Sequence, residues 1–227
     1  MIKAIEQAHP IVAGKPAYLC VRDPSRSYRM TELSWRAKDV GTIADFLTAA
    51  ECDEYITFGE SAGFAEAPVS TGRGMVIMKD LRNNDRVMID DLDRAQALYR
   101  RLSDHLPPRF NKKWQPVGLN ERLRFYRYDA GQQFDWHFDG HFERPTGERS
   151  FFTFMVYLND DFEGGATSFR NNKHDPSIGS GFRVTPRKGM ALVFHHPIEH
   201  RGDPVIAGRK YVLRTDVMYG RWLRIQN

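Results

Sequence analysis

The 227-residue sequence is 41% hydrophobic, 12% aromatic and 27% charged, the balance of a folded globular chain rather than a disordered one. It has no apolar run of about 18 residues, which argues against a helical membrane span. The net charge of +4 permits an anionic partner without requiring one, and two cysteines are too few for a disulfide framework.

The N-terminus lacks the long apolar core of a signal peptide, and with so few cysteines a reducing cytoplasm is the expected compartment. Residues 1–38 are interrupted by Pro10, Gly14, Pro16 and Pro24. They read as an extended arm with one strand near 17–21. Residues 39–118 read as a helical support region. Thr48 followed by Glu51 is a capping box, which predicts a helix over 49–61 that stops at Gly63. Residues 67–80 read as a Gly-rich loop leading into an apolar strand at 75–78. The run Arg82-Asn-Asn-Asp-Arg86 reads first as a polar turn and second as a loop at a substrate mouth. Asp90 and Asp91 then cap a second helix, whose Leu92, Ala95, Leu98, Tyr99, Leu102 and Leu106 fall at helical spacing. Pro107 and Pro108 end it. Two helices thus precede everything strand-like in this reading.

From Leu119 the character changes. Arg122, Arg124, Tyr126 and Tyr128 alternate with Leu123, Phe125 and Arg127, and residues 151–158 are a dense run of β-formers. Short strands at 166–169, 182–185, 190–194 and 209–219 follow, separated by turns and a polar loop at 171–181. Many short strands predict a sandwich or barrel over 119–227, with the whole chain forming one mainly β domain with N-terminal helices.

The chemistry-bearing stretch is 126–139, which ends in His137-Phe138-Asp139. On an extended strand, residues i and i+2 face the same side, so His137 and Asp139 can face one metal ion. One imidazole and one carboxylate are two of the three ligands that hold non-haem Fe(II). The pair carries little alone, and His141 and Glu143 form a competing pair beyond Gly140. His195, His196 and His200 follow an apolar strand and are candidates for the third ligand.

Further segments join these: Asp45-Phe-Leu-Thr-Ala-Ala-Glu-Cys52, Arg127-Tyr-Asp-Ala-Gly-Gln132, Tyr157-Leu-Asn-Asp160, Glu163-Gly-Gly-Ala-Thr167 and Pro186-Arg-Lys-Gly-Met190. His200-Arg-Gly-Asp-Pro-Val205 is followed by Lys210, ten residues after His200. In this combination the sequence resembles the prolyl 4-hydroxylase-like branch of the Fe(II)/2-oxoglutarate-dependent dioxygenases. The resemblance implies a double-stranded β-helix, or jelly roll, with Fe(II) on His137, Asp139 and His200. The matched lysine spacing selects His200 over its two neighbours, and His196 is expected beside the site or on the surface.

The resemblance also implies 2-oxoglutarate as co-substrate, its distal carboxylate held by Lys210 and by Tyr128, nine residues before His137. Thr153 and Tyr157 are further candidate contacts on one strand face. Arg214, on the same strand face as Lys210, is an alternative anchor or a substrate contact. Oxygen is consumed, succinate and CO2 are released, and ascorbate is a candidate reductant. The substrate class implied is a peptidyl side chain, a free amino acid or a small metabolite bearing an unactivated C–H bond. Phe134 stands where related hydroxylases commonly have Tyr, and residues 140–150 are expected at the rim of the site. Arg73, Arg82, Arg86, Arg122 and Arg124 could meet an anionic substrate or be plain surface charges. A nucleic-acid demethylase is the less favoured reading, because no Arg-x5-Arg pair follows His200. A cupin-like metal enzyme and a non-catalytic binding module remain as alternatives of other classes, and oligomeric state is not legible.

Overall fold

The structure, a computed structural model, describes residues 34–37, 39–71, 74–170 and 181–222. The first capping box forms as its sequence predicts. The Thr48 hydroxyl accepts from the Glu51 amide at 3.2 Å, and the Glu51 carboxylate accepts from the Thr48 amide at 2.9 Å. Helix α1 spans Ala49–Ala62 and is closed by Gly63 at φ 82°. Helix α2 spans Leu92–Leu102, and its cap residue Asp91 accepts from the Arg94 amide. Ala95, Leu98 and Leu102 are buried, whereas Leu92, which the helical spacing placed on the apolar stripe, is exposed at the first turn. Arg101 of α2 pairs with Glu51 of α1, and its hydrogen bond draws the Glu51 carboxyl down to about 2.

The strands form two main antiparallel sheets. The larger runs in the order Ser34–Ala37, Val40–Ile43, Ala191–His195, Arg149–Tyr157, Lys210–Arg221, Arg122–Tyr128, Asp85–Asp90 and Ala65–Glu66, with Trp114–Leu119 also paired to Lys210–Arg221. The smaller runs Phe182–Val184, Thr167–Phe169, His200–Gly202 and Phe134–His137. One face of the large sheet packs against the helices through Phe125, Phe152, Phe154, Leu213, Leu98 and Leu102. The other face meets the small sheet through Tyr128, Tyr157, Leu192, Val212, Phe169 and Val184. Alternation along Arg149–Tyr157 explains this division: Phe152, Phe154 and Val156 go to the helices, while Thr153 and Tyr157 go to the inter-sheet space. Two packed antiparallel sheets with helices on one outer face are the expected jelly roll.

The expectation that two helices precede all strands is corrected. Val40–Ile43 and Asp85–Asp90 are strands of the large sheet, so residues 39–118 are not helical support alone. All four residues of Val40–Ile43 are buried, so that strand shows no apolar–polar alternation to betray it. The arm reading also fails at its end, because Ser34–Ala37 is an edge strand paired with Val40–Ile43. The strand predicted at 17–21 lies outside the described residues. The strand expected at 75–78 forms over its first two residues, in Gly74–Val76 paired with Val69–Thr71, and Met75, Val76, Ile77 and Met78 are all exposed. Gly189, at φ 81°, lets the chain pass so close to Leu47 that a Cβ there would lie 2.1 Å from the Leu47 carbonyl oxygen.

Candidate metal centre and its cavity

His137 closes the Phe134–His137 strand and pairs in register with His200, the first residue of His200–Gly202. Cross-strand neighbours stand side by side, and the two rings lie 4.2 Å apart between centroids. Asp139 sits two residues past the end of its strand rather than on it. Side chains hold it instead of a ladder. The Thr153 hydroxyl donates to Asp139 Oδ2 at 2.5 Å, and an Arg214 Nη lies 3.0 Å from Oδ1. The three ligand atoms lie within 4.8 Å of one another, with Asp139 3.9 Å from His137 Nε2 and 3.6 Å from His200 Nε2.

The imidazoles are oriented for ligation. His137 Nδ1 lies 2.7 Å from the Asp135 carbonyl and His200 Nδ1 lies 2.9 Å from the Ile198 carbonyl. A carbonyl only accepts, so both Nδ1 atoms carry the proton and both Nε2 lone pairs face Asp139. Burial disfavours the cation on both rings, holding His137 down to about 3 and His200 below its ordinary value. Burial alone would raise the Asp139 carboxyl. Arg214 and the two histidines beside it, with the Thr153 hydroxyl, outweigh that and keep it anionic. Two neutral nitrogens and one carboxylate, grouped on one side, are a donor set that fits ferrous iron. Phe134 stacks on His137 at 3.5 Å between centroids, which occupies the position of the expected Tyr with a ring and no hydroxyl.

The triad opens on a cavity of about 460 Å³, counting its mouth, between the two sheets. Tyr128, Thr153, Lys210 and Arg214 all line it, as does Thr167. They do not stand together. Lys210 is 3% exposed, donates to the Gly165 carbonyl at 2.6 Å, and lies over the Tyr128 and Tyr157 rings. It forms no ion pair with a carboxylate among the described residues, and burial lowers its ammonium to about 8. An uncompensated buried cation is suited to a carboxylate ligand, so this end of the cavity fits one carboxylate of a keto diacid. The Tyr157 and Thr167 hydroxyls share a hydrogen bond at 2.6 Å. Thr153 and Arg214 instead meet Asp139, at the metal end. His196 is buried between the hydroxyls of Thr153, 3.1 Å away, and Ser150, 3.0 Å away, and so supports the site from behind.

Arg82 and Tyr126 lie beside the triad without having been expected there. Arg82 is not in a polar turn: it is 4% exposed, bridges to Phe134 in the small sheet, and stacks on the Phe134 and Tyr126 rings at 4.5 and 4.7 Å. Tyr126 lines the cavity beside Arg214. Burial would raise its phenol, but Arg214, Arg82 and Arg124 together bring it down to about 8. Tyr128 is marked by its spacing to His137, which does not reach Tyr126, although Tyr126 shares its strand face two residues earlier. Burial of Arg82 has no comparable signal in sequence.

Residues 123–215 match the model of the 2OG-Fe(II) oxygenase superfamily. The chain is similar to probable prolyl 4-hydroxylase 7 of Arabidopsis thaliana, 25% identical over 90% of this chain and 67% of that protein. It is also similar to prolyl 4-hydroxylase 2 of the same plant, 28% identical over 73% of this chain and 62% of the relative. It thus spans about two thirds of these relatives' length. Among solved structures, its fold matches a prolyl hydroxylase from Trichoplax adhaerens in complex with a hypoxia inducible factor peptide fragment, with a TM-score of 0.58 at 17% identity, covering 79% and 83% of the two chains. It also matches a viral collagen prolyl hydroxylase of Paramecium Bursaria Chlorella virus-1 in complex with 2OG, with a TM-score of 0.53 at 19% identity, covering 80% and 96%.

Proposed function

Because this chain belongs to the Fe(II)/2-oxoglutarate-dependent dioxygenase superfamily, on its prolyl 4-hydroxylase-like branch, we propose that it hydroxylates an unactivated C–H bond of a peptidyl side chain, an amino acid or a small metabolite. The observation that carries the reading is the pairing of two features in one cavity. A two-histidine, one-aspartate cluster with both Nε2 atoms facing the carboxylate lies at one end, and the buried Lys210, without a carboxylate partner among the described residues, lies at the other. Iron and 2-oxoglutarate, when bound, supply the activation of oxygen, with succinate and CO2 as co-products.

The chain's own residues provide position and exclusion. His137, Asp139 and His200 would hold the metal, and the backbone carbonyls of Asp135 and Ile198 keep the two rings turned toward it. Lys210 would hold the distal carboxylate of 2-oxoglutarate, with the Tyr128 hydroxyl as a second donor in the same cavity wall. Phe134, Met155, Phe194 and Val212 supply apolar wall between them, which strengthens those contacts by limiting water. Arg214 and Thr153 hold the Asp139 carboxylate in its orientation. No helix among the described residues is long and apolar enough to cross a membrane.

The test is product analysis under 18O2. Protein supplied with Fe(II) and 2-oxoglutarate is incubated with proline-containing peptides and, separately, with free amino acids. Incorporation of one labelled oxygen into a C–H position, coupled one-to-one to succinate, is expected. Turnover of a probe without consumption of 2-oxoglutarate would favour a cupin-like enzyme instead.

A further inference from the structure

The sheet face that looks onto the triad continues past Arg214 as a row of guanidinium groups. In register, Arg214 pairs with Arg124, Arg124 with Met88, and Tyr126 with Arg86. Paired residues on antiparallel strands project to the same face, and neighbouring strands are about 4.8 Å apart. Arg124 therefore stands one strand from the arginine that touches Asp139, and Arg86 stands on the strand beyond. Arg82 closes the group from the small-sheet side, over the Tyr126 ring.

These four arginines have two carboxylates among them. Asp139 takes Arg214 at 3.0 Å, and Asp216 takes Arg124 at 3.1 Å and Arg214 at 3.3 Å. Arg86 is half-buried and has no carboxylate partner among the described residues; its charged neighbours are Arg82, Arg124 and Arg214. Arg82 donates to Asn84 at 2.7 Å, but its buried Nη2 has no hydrogen-bond partner. The lowered phenol of Tyr126 registers the same positive field. A metal ion held by the triad would add to it. Partly buried guanidinium groups without counter-charge are costly unless a ligand supplies the charge. Met88, exposed on the same face as Arg86, marks where the row reaches solvent.

We propose that this row is the anion subsite of the prime substrate: the substrate carries an oxyanion, which Arg86 and Arg124 hold beside the metal centre. This rests on reading the site as that of a 2-oxoglutarate-dependent oxygenase. A planar guanidinium matches a carboxylate in two parallel hydrogen bonds, so a carboxylate is the preferred oxyanion. It can belong to an acidic peptide or to a free small acid.

Equilibrium dialysis of radiolabelled sulfate tests this, against protein loaded with Mn(II) and saturating 2-oxoglutarate at low salt, where screening is weak. One-to-one binding is expected, weakened at least tenfold in Arg86→Gln and recovered in Arg86→Lys. Competition separates the sources. A Glu-Pro repeat peptide, its Gln-Pro counterpart and N-acetylaspartate are each added as competitors. Displacement by the Glu-Pro peptide names an acidic peptide, and displacement by N-acetylaspartate names a free acid. Equal sulfate binding by wild type and Arg86→Gln overturns the proposal, as does displacement by the uncharged Gln-Pro peptide as strong as that by the acidic competitors, or no displacement by either acidic competitor. The absorption band of an iron-chelated keto acid, measured separately on the wild type, reports on the underlying oxygenase reading, so the two failures are distinguishable.

Discussion

Lys210 and Arg214 sit four residues apart on the same face of one strand, line the same cavity and are both buried cations. Their surroundings are opposite. Arg214 has Asp139 and Asp216 at hydrogen-bonding distance, so its charge is met from within the chain. Lys210 has a backbone carbonyl and two aromatic faces. On the proposed reading, Arg214 positions a metal ligand and Lys210 receives an anion. Residue type and strand face thus place a cation in the cavity, while its carboxylate neighbours decide what it pairs with.

The largest effect is expected from removing the carboxylate that Arg214 holds. Asp139→Ala should reduce 2-oxoglutarate-dependent succinate formation below about 1% of wild type, beyond the roughly 10–100-fold losses typical of residues that only support metal ligands. Retained turnover in that variant would break the contrast at its Arg214 end. Lys210→Ala comes next. Truncating a buried charge partner costs about 2–5 kcal/mol, so the concentration of 2-oxoglutarate giving half-saturation should rise roughly 30-fold or more while Mn(II) affinity is retained. Lys210 also predicts a pH dependence. Its folded pKa of about 8 lies below the unfolded lysine value near ~10.4, so between those values the unfolded chain binds more protons. Stability of the protein free of 2-oxoglutarate should therefore rise with pH from about 8 to ~10.4, and Lys210→Met should flatten that rise in urea titrations.

A smaller change is expected from Thr153→Val, which removes the hydroxyl shared by Asp139 and His196. Mn(II) affinity should fall about tenfold, with 2-oxoglutarate affinity at saturating metal almost unchanged, because Thr153 serves the Arg214 end only. Thr48→Ala, remote from the cavity, sets the baseline. Loss of that cap should cost about 1 kcal/mol and lower Tm by about 2–4 °C without altering the kinetics at permissive temperature.

The sequence exposes what has a local cause. Thr48 and Glu51 state their helix start outright, and Gly63 states its stop. The triad is legible because its pieces are local, His137 two residues from Asp139 and His200 ten residues before Lys210, and these carry the family resemblance; the pairing of His137 with His200 appears only in the fold. What depends on partners far along the chain is not legible. Val40–Ile43 is a strand because Ala191–His195 runs beside it, and Asp85–Asp90 because Arg122–Tyr128 does. Arg82 sits in a run whose composition is that of a turn, yet packing between Phe134 and Tyr126 buries it. Asp139 departs from its expected place on the strand because Thr153 and Arg214 hold it where the ladder has already ended.

On the proposed reading, one cavity takes iron at the Asp139 end and a keto acid between the iron and Lys210. Anaerobic addition of Fe(II) and then 2-oxoglutarate tests it directly, by the weak visible charge-transfer band of an iron-chelated keto acid. A band in the wild type that is weakened at the same 2-oxoglutarate concentration in Lys210→Ala is the expected result. No band from wild-type protein that demonstrably holds iron would contradict the claim.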